Sequence, residues 1–200
     1  MCNEAARRIA LGELREDWSQ TRIPLHFPEG LPNMAPLDGF RITDSTVIIR
    51  GVDGAADAAE LVTRRWSWPG AHGKPVYNFR SDGREFRHGR CLVPVDAFYE
   101  FTTPETPPGG PKPKRKTRWA FRLTDHRWFC IAGLWRADPG VGEAFTMLTC
   151  PPGPDIAPYH DRQMVVLGRD DWAAWLDPAI PAADLCRPLP EGRLVAEQVT

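Results

Sequence analysis

The sequence predicts an α+β fold in a single domain: a curved, mostly antiparallel β-sheet or barrel with flanking short helices. Segments with strand character outnumber helical ones, and the two kinds come in mixed order. Several of those segments alternate apolar with polar residues, as Trp119, Phe121 and Leu123 do, which marks a half-buried strand. The 200 residues are 42% hydrophobic and include eight Trp and nine Phe. That is enough for one substantial core and excludes global disorder.

Taken in order, residues 5–18 read as an amphipathic helix through Ile9, Leu14 and Trp18. Residues 20–45 read as loop, punctuated by Pro24, Pro28, Pro32 and Pro36. Val47-Ile48-Ile49 is a short strand, and residues 55–65 look helical with Asp53 as N-cap. Another loop follows Trp66-Ser67-Trp68-Pro69. Strands are expected at Cys91–Val95, Phe98–Phe101, Trp119–Leu123, Trp128–Leu134 and Phe145–Thr149. Residues 103–118 form an exposed loop, first Pro/Gly-rich and then basic through Lys112, Lys114, Arg115, Lys116 and Arg118. Asp170-Asp171 open a helix carrying Trp172, Trp175 and Leu176, and Pro178 closes it. Residues 178–200 are a Pro-rich C-terminal tail, and the domain is expected to span residues 1–200.

Charge and cysteine usage narrow the function classes. Twenty-five basic residues against 26 acidic ones give a net charge of −1, unlike a protein coated in basic charge; a local basic cleft is still allowed. Arginine dominates, 21 to 4 lysines, and suits bidentate phosphate contacts and ring stacking. No apolar run is long enough to span a bilayer, and the start has no signal-peptide core. A cytoplasmic monomer with no membrane partner is expected, nucleoid-associated when bound to DNA. The five cysteines, Cys2, Cys91, Cys130, Cys150 and Cys186, contain no C-x-x-C pair, so neither a zinc ribbon nor a disulfide framework is expected. No metal or cofactor is called for. Cys91, Cys130 and Cys150 read as small buried hydrophobes.

Cys2 is different, because loss of Met1 would give it a free α-amine beside its thiol. Unperturbed, that amine titrates at about 7.7–8.0 and the thiol at about 8.5, so a useful fraction of each is nucleophilic near neutrality. A 1,2-aminothiol condenses with an aldehyde to an imine, and the thiol then closes a five-membered thiazolidine. Its other use is as an N-terminal nucleophile whose amine serves as base for its own thiol.

Further segments share the order of a known pattern. They are Met34-Ala35-Pro36, Arg65-Trp66-Ser67-Trp68-Pro69, Asn78-Phe79-Arg80-Ser81-Asp82, Arg90 through Phe101, Ala132-Gly133-Leu134-Trp135, Phe145–Thr149 and Ala157-Pro158-Tyr159-His160-Asp161-Arg162. With Met1-Cys2 in front, the chain resembles the SOS-response-associated peptidase (SRAP) family from residue 1 to about 176. The resemblance implies a sensor of abasic sites in single-stranded DNA, which crosslinks to the ring-opened sugar aldehyde as a thiazolidine through Cys2. It also implies a peptidase-type removal of Met1. It makes Cys2, Asn78, Glu100 and His160 the catalytic residues, and Arg80, Arg84 and Arg162 the phosphate contacts. Those residue types suit the chemistry. A carboxyl such as Glu100 can shuttle the proton lost with water, an imidazole such as His160 can assist sugar ring opening, and the Asn78 amide can orient the amine.

This sequence departs from the family pattern at several places. Asn3-Glu4 stands where the family has Gly-Arg, which puts a negative charge beside the nucleophile, with Arg7 or Arg8 as candidate compensation. Asp82 replaces a Glu, Phe101 a Trp, and Gln163-Met164 a Met-Pro pair; a short stretch from Asn78 to Arg90 loosens the assignment of Arg84. Trp66, Trp68 and Phe101 are candidates to stack on bases, with Pro36 on the rim, and one of the two tryptophans is expected to be buried. Two other readings stay open: an N-terminal-nucleophile amidohydrolase, which needs a four-layer αββα fold, and a non-covalent single-stranded DNA-binding module.

Overall fold

The computed structural model describes residues 2–52, 55–105 and 115–199. The chain starts with β1 (Glu4–Arg7), α1 (Leu11–Ser19), β2 (Leu25–His26), β3 (Leu37–Arg41), β4 (Ser45–Val52) and β5 (Ala55–Trp66). Short strands follow at β6 (Trp68–Pro69), β7 (Pro75–Val76) and β8 (Asn78–Arg80). The centre is β9 (Arg90–Val95), β10 (Ala97–Thr102), β11 (Thr117–Leu123), β12 (Phe129–Asp138) and β13 (Gly142–Cys150). The chain ends with β14 (Gln163–Met164), β15 (Val166–Leu167), α2 (Arg169–Leu176), α3 (Ala182–Leu185) and β16 (Leu194–Val199).

Five strands close on themselves. The order β13-β12-β9-β4-β5 is antiparallel throughout, and β5 then meets β13 in parallel, Arg65 beside Ala144 and Trp66 beside Phe145. Closure leaves these strands no free edge between them. A second, antiparallel sheet runs β16-β11-β10-β1-β3. The α+β architecture around a curved, mostly antiparallel sheet is therefore what the chain adopts.

Alternation along the ring strands feeds two cores. Ile48, Val62, Cys91, Val93, Ile131, Phe145 and Met147 pack with Ala5, Phe40, Phe98 and Phe121 of the second sheet. The intervening residues Val47, Ile49, Leu61, Leu92, Cys130, Ala132 and Leu148 pack beneath Leu14 and Trp18 of α1 and Trp172 and Trp175 of α2. Successive strand residues point to opposite faces. With both faces covered, strands such as β9, buried at every position, read as continuous apolar runs. Arg90 joins ring to helix: its guanidinium lies over the Trp175 ring and donates to the carbonyls of Trp175, Asp177 and Ile180. It thereby satisfies acceptors left open at the end of α2. Gly89 takes φ +71° and could not carry a Cβ, which would strike the Trp135 carbonyl.

Several elements differ from expectation. Residues 55–65 are strand β5, not a helix; the alanines favour helix, but pairing with β4 and burial of Leu61 and Val62 on opposite faces override that preference. Asp53, its expected cap, lies outside the described residues. The expected helix over residues 5–18 begins only at Leu11, because Glu4–Arg7 is drawn into the sheet between β10 and β3. The loop at 20–45 contains β2 and β3. The basic loop ends in strand, since Thr117 and Arg118 already pair with Thr102 and Phe101; Lys112 and Lys114 lie outside the described residues. The Pro-rich tail holds α3 and β16, which adds an edge to the second sheet. Both Trp66 and Trp68 are buried, at 0% and 7% exposure. Ser67 between them has φ +82°, which breaks the alternation that would have turned one ring outward. Among the described residues no helix is long and apolar enough to cross a membrane. The αββα layering that an N-terminal-nucleophile amidohydrolase requires is not the arrangement found.

Candidate functional site

The site forms where the start of the chain meets two sheets. β1 lies against β10 with Ala5 opposite Phe98, so the residues before β1 run toward Glu100 and Phe101. There the backbone N–H of Cys2 donates to the Glu100 carboxylate. From the other side β8 runs parallel to β13, Asn78 beside Met147. This places the Asn78 side chain so that Nδ2 donates to the Cys2 carbonyl at 2.7 Å. Asn78 Oδ1 is buried and accepts no hydrogen bond from the described residues. His160 follows a run of turns that starts at Gly153, with its backbone N–H bonded to the Ile156 carbonyl. Its neighbour Tyr159 packs edge-on against Trp119 and Phe121 of β11, which fixes the turn against the second sheet.

Asn3, Glu100, Phe101, Lys116 and His160 line an open pocket of about 350 Å³. Glu100 is 2% exposed, and burial pushes its carboxyl up to about 7, although the Cys2 N–H favours the charged form. A carboxyl in that range gives and takes protons near neutrality. The Cys2 side chain is fully buried. Burial first, and then the nearby Glu100 charge, push its thiol up to about 12; it is a thiol, not a thiolate, and lies 3.1 Å from the Glu4 carbonyl. Burial also lowers the His160 pKa, favouring neutral imidazole. In that form Nδ1 accepts the Arg162 N–H at 3.0 Å, which leaves the proton on Nε2. Asp161 Oδ1 stands 2.8 Å from the same Nδ1 and would take over as its partner if the ring were protonated.

The residues expected to hold DNA are placed very differently from one another. Arg80, Arg84 and Pro36 are exposed, and Arg84 lies over the Phe79 ring at 4.8 Å. Phe101 is half-buried on the pocket wall. Arg162 is 8% exposed, and its guanidinium donates to the Thr149 carbonyl and pairs with Asp82 at 2.6 Å. It ties the His160 segment to the end of β8 rather than facing solvent. Trp68 is buried beneath the Arg136 guanidinium, 4.5 Å from its ring, and Trp66 packs among Phe40, Tyr77 and Phe145.

The departures at the chain start also find partners. Glu4 is buried, and its Oε1 accepts from Arg118 at 2.8 Å and Arg41 at 3.5 Å, so its charge is neutralised inside the second sheet. Arg7 donates to the Ala35 carbonyl and Thr46, while Arg8 pairs with Asp96. Both are occupied elsewhere. Asn3 and Lys116 were not singled out from the sequence as site residues. Lys116 was hidden in a charge run, and only the fold, which gathers it with Phe101 on the pocket wall, reveals it. Among the described residues, no group of His, Cys, Asp and Glu side chains is gathered to hold a metal ion.

Comparison with known proteins gives one family. The family model described as SOS response associated peptidase (SRAP) matches residues 1–200. Abasic site processing protein YoaM of Bacillus subtilis (strain 168) is 29% identical over 104 residues, covering 50% of this chain and 43% of that protein. Abasic site processing protein YoqW of the same organism is 30% identical over 93 residues, covering 44% and 38%. The matched stretch thus spans less than half the length of these relatives. A crystal structure of a protein from Bordetella bronchiseptica superposes with a TM-score of 0.72 at 22% identity, covering 100% of both chains. One from Bacteroides thetaiotaomicron gives 0.70 at 15% identity, covering 100% of this chain and 92% of that one. At such identities these two structures speak for the fold alone.

Proposed function

The chain belongs to the SOS response associated peptidase family, and from that premise we propose that it processes abasic sites in single-stranded DNA by forming a thiazolidine crosslink through Cys2. The observation that carries this reading is the hydrogen bond from the Cys2 N–H to a buried carboxyl, Glu100, with a pKa of about 7, on the wall of a pocket shared with His160.

Once Met1 is removed, that nitrogen is an amine already beside an acid–base group. It adds to the sugar aldehyde carbon to give a carbinolamine. Protonated Glu100 gives its proton to the departing hydroxyl, and water leaves as the imine forms. The Cys2 thiol then bonds through sulfur to the same carbon while its proton passes to the imine nitrogen, closing the five-membered ring. One water is released in total. The high thiol pKa suits this order, with the amine attacking first and the sulfur second. Asn78 holds the Cys2 carbonyl and so fixes where the amine points. Neutral His160, with Nδ1 engaged by the Arg162 N–H, keeps Nε2 for the sugar oxygen during ring opening. Arg80, Arg84 and Phe101 meet the flanking strand.

Removal of Met1 is the peptidase half of the reading. Cys2 sulfur attacks the Met1 carbonyl carbon, the thiol proton passes to the Cys2 nitrogen as the C–N bond breaks, and water then hydrolyses the resulting thioester, freeing methionine and the Cys2 amine. The protein acts as a cytoplasmic monomer on its DNA. The test is a gel: processed protein with abasic single-stranded DNA gives a heat-stable shifted band, absent with intact DNA. A salt-sensitive shift without a covalent band would leave only a binding module.

A further inference from the structure

The cations around the site are mostly spoken for. Arg162 is paired with Asp82, Arg118 with Glu4, and Arg8 with Asp96, while Arg7 is spent on Ala35 and Thr46. A guanidinium held this way has given up donors that a ligand would need, and its charge is offset nearby. Lys116 is different. It lines the same pocket as Glu100 and His160, it is exposed, and it forms no ion pair with any described residue. The pairing of Thr117 with Thr102 holds its backbone at the start of β11, one residue from a strand. It is therefore presented by a fixed edge rather than by a free loop.

We infer that Lys116 is an anion-binding residue of this pocket, holding the phosphate of the nucleotide whose sugar enters between Glu100 and His160. This rests on the abasic-site reading and names a contact that the reading did not contain. The other lining groups are matched to other parts of such a ligand: Glu100 and His160 to the sugar, the Phe101 ring to a base, and the Asn3 amide to a neutral polar group. None of them can neutralise a phosphate. A lysine ammonium is a compact point charge that meets phosphate from several directions, which suits a strand whose backbone must shift as the sugar opens. The same charge lies close enough to His160 to disfavour its protonation.

Three measurements on processed protein test the inference: equilibrium binding of an intact oligothymidylate at several salt concentrations, crosslinking rate with an abasic oligonucleotide, and crosslinking rate with a phosphate-free sugar aldehyde. Lys116→Ala is expected to weaken oligothymidylate binding several-fold and to reduce the salt slope by about one unit. It should slow crosslinking to sub-saturating abasic DNA by the same factor and slow the reaction with the phosphate-free aldehyde far less. Lys116→Arg should recover most of the binding. An unchanged salt slope in Lys116→Ala overturns the inference, as does an equal loss with the phosphate-free aldehyde. If the wild type binds in a Lys116-dependent way yet never crosslinks, the abasic-site reading fails while the phosphate contact stands. If it crosslinks but Lys116→Ala does so equally well, the inference fails alone.

Discussion

Replacing Glu100 by Gln should slow the chemistry and strengthen the fold. The Glu100 carboxyl, ordinarily near 4.5, is raised to about 7, chiefly by burial. Between those two values the folded protein holds a proton that the unfolded chain has released. Stability therefore falls as pH rises through that window, and the burden is greatest above it. A shift of that size corresponds to roughly 3 kcal/mol. Gln has nearly the same shape and no charge to bury, so Glu100→Gln should be more stable than the wild type at pH 8, by up to about that amount. The two should converge near pH 4. Urea denaturation at pH 4, 6 and 8 reads this directly. In processed protein the same substitution should slow crosslinking by ~10²–10⁴-fold, the usual range for a lost general acid–base, while intact single strands bind as before. Release of the adduct should slow as well, because an acid that helps form an imine also helps reverse it. Equal stability at pH 8 together with unaltered rates would refute the reasoning and leave Glu100 a bystander.

Four further outcomes are expected. Cys2→Ser should keep an amine able to form an imine, so borohydride traps a species, but the heat-stable adduct should vanish on a denaturing gel. Arg162→Ala should destabilise the fold by roughly 2 kcal/mol or more in urea titration, since it removes charge-assisted hydrogen bonds from a buried site. Arg80→Ala, at an exposed position, should leave stability unchanged and reduce the salt slope of single-strand binding by about one unit. Trp68→Ala should cost roughly 3–5 kcal/mol, as for other buried aromatic truncations; a large loss of DNA affinity without loss of stability would mean that the ring meets the bases after all.

The parts of the fold legible in the sequence are those in which local pattern and tertiary demand agree. Trp119, Phe121 and Leu123 alternate, and they do so in a strand with one face on the core. Trp172 and Trp175, three apart, form the buried stripe of α2. Local pattern misled where pairing decided the outcome. Residues 55–65 carry helix-favouring alanines, yet strand β5 completes the ring, and no local signal announces ring closure between Trp66 and Phe145. Glu4 looked like a charge set beside the nucleophile; its partners Arg41 and Arg118 come from strands far along the chain, and only the sheet order β11-β10-β1-β3 brings them together.

The candidate site divides in the same way. Residues inside recognisable segments, Asn78, Glu100 and His160, were legible as a set, and the structure brings Asn78 and Glu100 onto the Cys2 backbone. Burial of individual cations was not legible. Arg80 and Arg162 each sit in a motif with Asp close by, but one is exposed and the other is locked to Asp82 and Thr149. Lys116 was one member of a charge run until the fold gathered it with Phe101 on the pocket wall.

Capture of the sugar aldehyde by the Cys2 aminothiol is read most directly by mass spectrometry of processed protein incubated with an abasic oligonucleotide. The expected adduct has the mass of the two reactants less one water. It should be stable to heat without reductant, map to the peptide beginning at Cys2, and be absent when Met1 is retained. An adduct on any other residue, or one formed equally well with Met1 in place, would contradict it.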